Sequence, residues 1–438
     1  MIQIFKQLGR HWAACIAVVA LLFAQAYCDL SLPDYTSKIV DTGIQQGGIE
    51  SPVPETVRDT TLQALEMLMS EQDAALAEQW YSAPDADGVR TLSRDASAAM
   101  TELESAFSTP DVVLYMAAAQ NATANSGAST PAAGDLDAAA AQMTAMVNAP
   151  GAREMLQARL QEEMSALDDS MAGNLSQQAT LLVALEYEAQ GIAHDVQLAY
   201  LLRTGGRMLA LTLVMVAVSI AVGFLASRVS AAIGRDLRRD VFGTVVGYSN
   251  AEIEKFSTAS LITRTTNDIQ QVQFVCVILL RMVAYAPILG IGGILHVAEG
   301  NTGLEWIIFV AVAALLLLIA FLMSVAMPKF KLMQTLVDRL NLVSREILTG
   351  IMPIRAFSRE AFEEQRFDKA NTDLMKTQLF TNRTMVAMMP FMTLIMNGTS
   401  LLIVWFGGKA MDLGTMQVGE MIAFITYTMQ IVMSFLML

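Results

Sequence analysis

Residues 306–327, from Trp306 to Met327, read WIIFVAVAALLLLIAFLMSVAM without one charged side chain. As a helix rising about 1.5 Å per residue, this run reaches about 33 Å, enough to cross the apolar core of a bilayer about 30 Å thick. Beyond Met327 the chain changes character without stopping. Lys329 and Lys331 come next, and Met333, Leu336, Leu340, Val343 and Ile347 then recur at helical spacing among charged residues. The pattern predicts a helix that crosses a membrane, continues well beyond it and breaks at Thr349-Gly350-Ile351-Met352-Pro353-Ile354-Arg355-Ala356-Phe357. The same order occurs earlier in the chain: an apolar run (Met208–Ala226), an extension at helical spacing (Arg228–Gly247) and a short break (Ser249–Phe256).

Four further runs are apolar enough to span. Trp12–Cys28 and Thr384–Gly408 are uncharged, Phe274–Ile294 carries only Arg281, and Met421–Leu438 is uncharged to the last residue. The first is too long for a signal-peptide core, and Asp29-Leu30-Ser31-Leu32-Pro33 comes after it in place of a small-residue cleavage site. Six spans result. Lys6, Arg10, Arg228, Arg235, Arg238, Arg239, Lys329, Lys331 and Arg383 all fall on one side if the N-terminus is cytoplasmic, the arrangement that basic loops favour. The expectation is a multi-pass cell-membrane protein with residues 50–203 extracellular and two cytoplasmic segments, 228–271 and 328–383.

Composition supports this division. Of the 438 residues, 54% are hydrophobic and 16% charged, against about 25% charged in ordinary globular proteins. Residues 51–200 hold 22 Asp and Glu against 5 Arg and no Lys, a net charge of −17, while the remainder nets +3. That balance excludes a nucleic-acid partner held through phosphates. The acidic block lacks cysteine, so no disulfide can staple it, and its Ala, Glu, Gln and Met content predicts amphipathic helices, as in Met155, Leu156, Leu160, Met164 and Leu167. Ala117–Asp135, small and polar, reads as a flexible connection.

Four stretches in this order resemble the transmembrane half of ATP-binding-cassette exporters, close to the bacterial heterodimeric multidrug members. They are Leu32-Pro33 with Lys38–Ile44, Phe256–Asp268, Arg281 with Ala286-Pro287 and Gly290–Gly293, and Glu346, Gly350-Ile351, Ile354–Phe357, Glu360, Phe367 and Asn371. The resemblance implies an all-α membrane fold of six transmembrane helices with long intracellular extensions, the type-1 exporter fold, to which an inserted helical extracellular domain is added here. The expected division is 1–49 (N-terminus and helix one), 50–203 (the acidic insertion) and 204–438 (helices two to six). The resemblance also implies that short transverse helices dock on a nucleotide-binding domain. Phe256, Ile354 and Phe357 are the apolar candidates for that coupling, with Glu252, Glu254, Arg355 and Glu360 setting register by charge.

The sequence departs from the family in two respects. No G-x-x-x-x-G-K-[ST] phosphate loop occurs, and Gly407-Gly408-Lys409-Ala410 lacks its spacing and hydroxyl. Catalytic, cofactor-binding and metal-ligating residues are therefore not expected in this chain, and ATP with Mg would belong to a missing or partner nucleotide-binding domain. Because the sequence stops inside the sixth run, the chain reads as a transmembrane fragment. The second departure is the acidic block, where the family has a short loop. Expected partners are membrane lipid, a second half-transporter forming a heterodimer, a nucleotide-binding domain, and a small-molecule, lipid or peptide cargo. Arg281 and the stripe Met385, Met389, Met392 and Met396 are the candidates for the translocation pathway, a lone intramembrane charge and a flexible thioether surface; the alternatives are snorkelling or a structural interhelix bond for Arg281 and ordinary helix or lipid packing for the stripe. A membrane sensor or receptor with an extracellular ligand-binding domain is the rival reading, and an ion-driven transporter is disfavoured by the lack of paired acidic residues at mid-membrane.

Overall fold

In lipid a backbone amide has no water to bond, so a crossing segment must satisfy its own hydrogen bonds, and the helix does this locally. The computed structural model describes residues 9–126, 130–147, 169–249, 258–299, 303–413 and 415–437. Among these, six helices are long and apolar enough to cross a membrane, one at each apolar run. The chain begins with α1 (Trp12–Lys38), which runs on through a π-helical turn, Ile39–Gln45. Next come β1 (Thr56–Arg58), α2 (Asp59–Leu68), α3 (Glu71–Trp80), β2 (Val89–Thr91), a 3-10 turn (Arg94–Ala99), α4 (Met100–Ser126), α5 (Ala133–Val147) and α6 (Asp169–Gln190). They are succeeded by α7 (Ala193–Val246), α8 (Thr258–Thr263), α9 (Ile269–Ile278), α10 (Tyr285–Glu299), α11 (Glu305–Thr349), α12 (Ile351–Ala356), α13 (Glu360–Asp412) and α14 (Val418–Met437). π-Helical turns at Arg264–Asp268 and Leu279–Val283 link α8, α9 and α10 into the third apolar rod. With 54, 45 and 53 residues, α7, α11 and α13 would reach about 80, about 68 and about 80 Å, over twice the apolar thickness they have to cross.

The chain divides into two compact units. In the first, Met1–Asp240 with Phe406–Thr426, α1 and α7 are tied near both ends. Arg10 pairs with Asp240 at 3.0 Å and His11 lies 3.3 Å from Asp236; at the other end the Gln197 amide donates to the Gly43 carbonyl at 2.9 Å. Gly48, at φ +86°, lets α7 approach so closely that an added Cβ would stand 2.9 Å from the Gln197 Cα. Asp41, buried in the π-helical turn, accepts the Ser37 hydroxyl at 2.9 Å and the Gly419 N–H at 2.6 Å. A carboxylate at the start of α14 offsets the positive end of that helix. Gly419 is required there, because a Cβ would sit 2.7 Å from the Ser37 carbonyl oxygen and closer still to Asp41.

Between α1 and α7 lies a small fold with its own core. β1 and β2 pair antiparallel, Val57 opposite Arg90, and Leu62, Leu65, Leu103, Phe107, Leu114, Leu136 and Leu182 bring α2, α4, α5 and α6 together. Its polar centre is Glu186, whose side chain is 1% exposed. It accepts the Arg58 guanidinium at 3.0 Å, the Arg58 N–H at 2.8 Å, the Thr61 hydroxyl at 2.8 Å and the Gln190 amide at 2.8 Å. Arg58 also reaches Asp137 on α5 at 2.7 Å. The flexible connection read over Ala117–Asp135 is corrected for its described part: α4 continues to Ser126 and α5 starts at Ala133. Alanine is the strongest helix former, and Ala118 and Ala122, one turn apart, are both fully buried. Met155, Leu156, Leu160, Met164 and Leu167 lie outside the described residues.

The second unit is Val241–Trp405 with Tyr427–Leu438. Here Gly290 on α10 admits α14, since a Cβ would meet the Ser434 hydroxyl at 2.8 Å. Six residues along α10, the His296 ring lies edge-on to Tyr427 and within 3.1 Å of its hydroxyl. Leu315, Met392 and Val432 form a small core shared by α11, α13 and α14.

Because removing one partner of a buried ion pair leaves the other charge stranded, Arg58→Ala should destabilise the fold between α1 and α7 by about 3–5 kcal/mol. Amide exchange of the full chain should show the loss across β1 and the end of α6, with α11 and α13 unaffected.

Candidate coupling site

The hairpin of α11 and α13 presents the most distinctive surface. Its stems are joined where Lys329 lies 5.4 Å from the centre of the Phe380 ring and where Arg366, also paired at 3.3 Å with Glu363 on its own helix, reaches Glu346 at 2.5 Å. At the tip, α11 ends as the Gly350 N–H bonds the Glu346 carbonyl at 2.8 Å, and α12 begins at once, with Ile354 N–H on the Gly350 carbonyl at 3.0 Å. Pro353 is tolerated because first-turn positions have no intrahelical acceptor to bond. The chain then reverses at Ser358, φ 50°, held by the Arg359 N–H on the Ile354 carbonyl at 2.9 Å.

These turns leave a groove of about 510 Å3 between the end of α11, α12 and the start of α13. Ile347, Leu348, Ile351, Ile354 and Phe367 give it an apolar lining, and Ser344, Arg355, Glu360, Glu363 and Glu364 a polar one. Beside it Phe357 and Met352 are 78% and 75% exposed, and Leu348 of the lining is 72% exposed. On the charged extensions, where water rather than lipid is the expected surroundings, such a concentration of large apolar side chains is unusual for a surface that stays exposed.

Of the coupling residues expected from sequence, Ile354, Arg355 and Glu360 line this groove and Phe357 stands beside it; Glu252, Glu254 and Phe256 lie outside the described residues. Glu363 and Glu364 were not among the expected residues, although their spacing from Glu360 is the helical repeat that would have found them. Arg281 sits in the π-helical turn Leu279–Val283, exposed, with no hydrogen bond or ion pair among the described residues. The methionine stripe divides. Met392 is buried at 4% and Met396 packs beside it against Leu315 and Val432, whereas Met385 and Met389 are 42% and 66% exposed. One helix can do both, because the small core takes in Met392, Met396 and, off the stripe, Met388, while Met385 and Met389 point away from it.

These features define a multi-pass, predominantly helical membrane protein with helices that outrun the bilayer and an apolar tip on the α11–α13 hairpin. The family described as the ABC transporter transmembrane region matches residues 186–435, over half of the chain, and the chain belongs to that family. An uncharacterized ABC transporter ATP-binding protein of Mycobacterium bovis is 37% identical over 239 residues, 55% of this chain and 41% of the relative. A second, from Bacillus subtilis, is 33% identical over 227 residues, 52% and 40% of the two chains. A putative ABC transporter ATP-binding protein of Streptococcus pneumoniae is 24% identical over 208 residues, 46% and 35%. The chain thus spans about two-fifths of the length of the first two relatives. Most of the small fold between α1 and α7 precedes the family match, which begins at Glu186.

Since the Phe357 side chain is spread in solvent, Phe357→Ala should change stability by less than about 0.5 kcal/mol. Met392→Ala, which empties the small core, should cost about 2–5 kcal/mol. Thermal unfolding of the two purified variants separates a contact surface from a packing residue.

Proposed function

We propose that this chain is the membrane half of an ATP-driven exporter, lining one side of a translocation pathway whose other side is a second, non-identical half-transporter. The observation that carries the reading is the exposed apolar tip built from Ile354, Phe357 and their neighbours on a hairpin far longer than a bilayer requires. In a family of transporters, such a tip is placed to receive force from an ATPase domain. On this reading α12 inserts Ile354 and Phe357 into a groove of that domain while Arg355 and Glu360 set the register, and Glu252, Glu254 and Phe256 act likewise on the first loop. ATP and Mg bind on the nucleotide-binding domain, supplied by a longer form of this protein or by its partner; the ATP-binding relatives, more than twice as long as the matched region, support that division of labour.

The basic residues near the span ends favour a cytoplasmic N-terminus and coupling tips, which would put residues 50–203 outside the cell. Closure of two ATPase domains would draw the tips together, and the rigid hairpins would transmit that movement to the apolar helices, turning the pathway from inward-facing to outward-facing. Arg281, together with the exposed Met385 and Met389, is the proposed cargo contact; a small molecule, a lipid or a peptide with an apolar body suits a thioether surface.

A photoreactive amino acid at position 357 tests the coupling. In membranes of the native host, the adduct identified by mass spectrometry should be a domain carrying a phosphate-binding loop. Adducts only with lipid, or with proteins that bind no nucleotide, would remove the exporter reading.

A further inference from the structure

The small fold between α1 and α7 contains a group for which the transport reading has no use. Asp111 on α4 is completely buried, and neither carboxyl oxygen has a hydrogen-bond partner. It comes directly after Pro110 in the interior of a 27-residue helix. A proline there supplies no N–H to the Ala106 carbonyl one turn back, so the helix is weakest at that point. Around it Phe107, Leu103 and Leu114 are fully buried, and an ionised carboxylate in such surroundings would lack both water and a countercharge.

The neighbours offer no compensation. The titratable group that faces Asp111 is Tyr81, just past α3, whose hydroxyl is committed to the Pro54 carbonyl at 2.6 Å and whose own ionisation is opposed first by burial and then by Asp111. On α6 the buried carboxylate Glu186 is matched by Arg58, and on α5 Asp137 pairs with the same arginine. On α2, burial first and then Arg90, Glu78 and Asp59 act on Glu66, with Asp111 not among them, and Arg94 and Asp95 of the 3-10 turn are exposed. Burial alone moves Asp111, and it moves its titration well above the ordinary carboxylate range.

We propose that Asp111 is a proton-operated latch: with the carboxyl neutral, α4 stays seated in the core, and ionisation drives the group toward water and opens α4 at Pro110. Linkage sets the sign. The folded state holds a proton that the opened state gives up at ordinary carboxylate pH, so the closed form is fully favoured in acid. It loses ground from the ordinary carboxylate range up to the raised titration point. Acid therefore tightens this fold and rising pH loosens it, opposite to the usual behaviour of a salt-bridged carboxylate.

Amide exchange of the full chain in lipid nanodiscs, corrected for the intrinsic pH dependence of exchange, tests the latch. Protection of peptides from residues 100–126 should fall by about tenfold per pH unit wherever one extra proton is held closed, within a scan from about pH 4 to about pH 8. Asp111→Asn should flatten that slope. Equal protection across the scan in the parent, or an unchanged slope in the variant, overturns the proposal. If the variant does not fold, infrared spectroscopy of the parent decides. A neutral carboxyl band that persists above the ordinary carboxylate range and shifts with 13C-aspartate supports the latch, and its absence overturns it.

Discussion

A peptide group in hydrocarbon has to find its hydrogen-bond partner within the protein, and this constraint governs most of the chain. It turns each apolar run into a helix. Because a helix is stiff along its axis, a span that continues past the bilayer remains a rod rather than a loop. The lengths of α7, α11 and α13 arise from sequences that keep helical periodicity while changing from wholly apolar to mixed. The tip of the α11–α13 hairpin lies at the far end of this arrangement, where Phe357 and Met352 are exposed, and the proposed coupling rests on that exposure.

Where helices meet within each unit, small residues and hydrogen bonds replace bulk. Gly43 and Gly48 bring α1 and α7 into contact, Gly290 admits α14 against α10, and Gly419 clears the space in which Asp41 caps α14. Membrane helices gain little from hydrophobic burial against each other, since lipid tails are as apolar as leucine, so close approach and directional bonds carry more of the specificity. π-Helical turns at Ile39–Gln45, Arg264–Asp268 and Leu279–Val283 shift helical phase, and two of them carry Asp41 and Arg281.

The fold between α1 and α7 obeys the other regime. It has a conventional core, a two-stranded hairpin and a charged centre at Arg58 and Glu186 whose hydrogen bonds offset the cost of burial. Asp111 breaks that pattern in the same core. A carboxyl left without partners persists only in its neutral form, which makes the compactness of this region depend on protons rather than on the family's transport chemistry.

The sequence by itself determined the six helices, the long extensions, the break at Gly350 and the membrane class, because each depends on hydropathy and periodicity that act locally along the chain. It also carried the family, through short stretches spaced at the right depths. Tertiary structure alone decided which residues share a surface. Glu363 and Glu364 join the groove because α13 folds back on α11, Met392 is buried while Met389 is not because a small core reaches only part of one helical stripe, and Ala117–Ser126 is helix rather than linker because Ala118 and Ala122 find a core to enter. The partnerships of Asp41 with Gly419 and of Arg58 with Glu186, and the isolation of Asp111, join or separate residues up to 378 positions apart. No local periodicity records such distances, since they are set by how helices pack and not by what each one is made of.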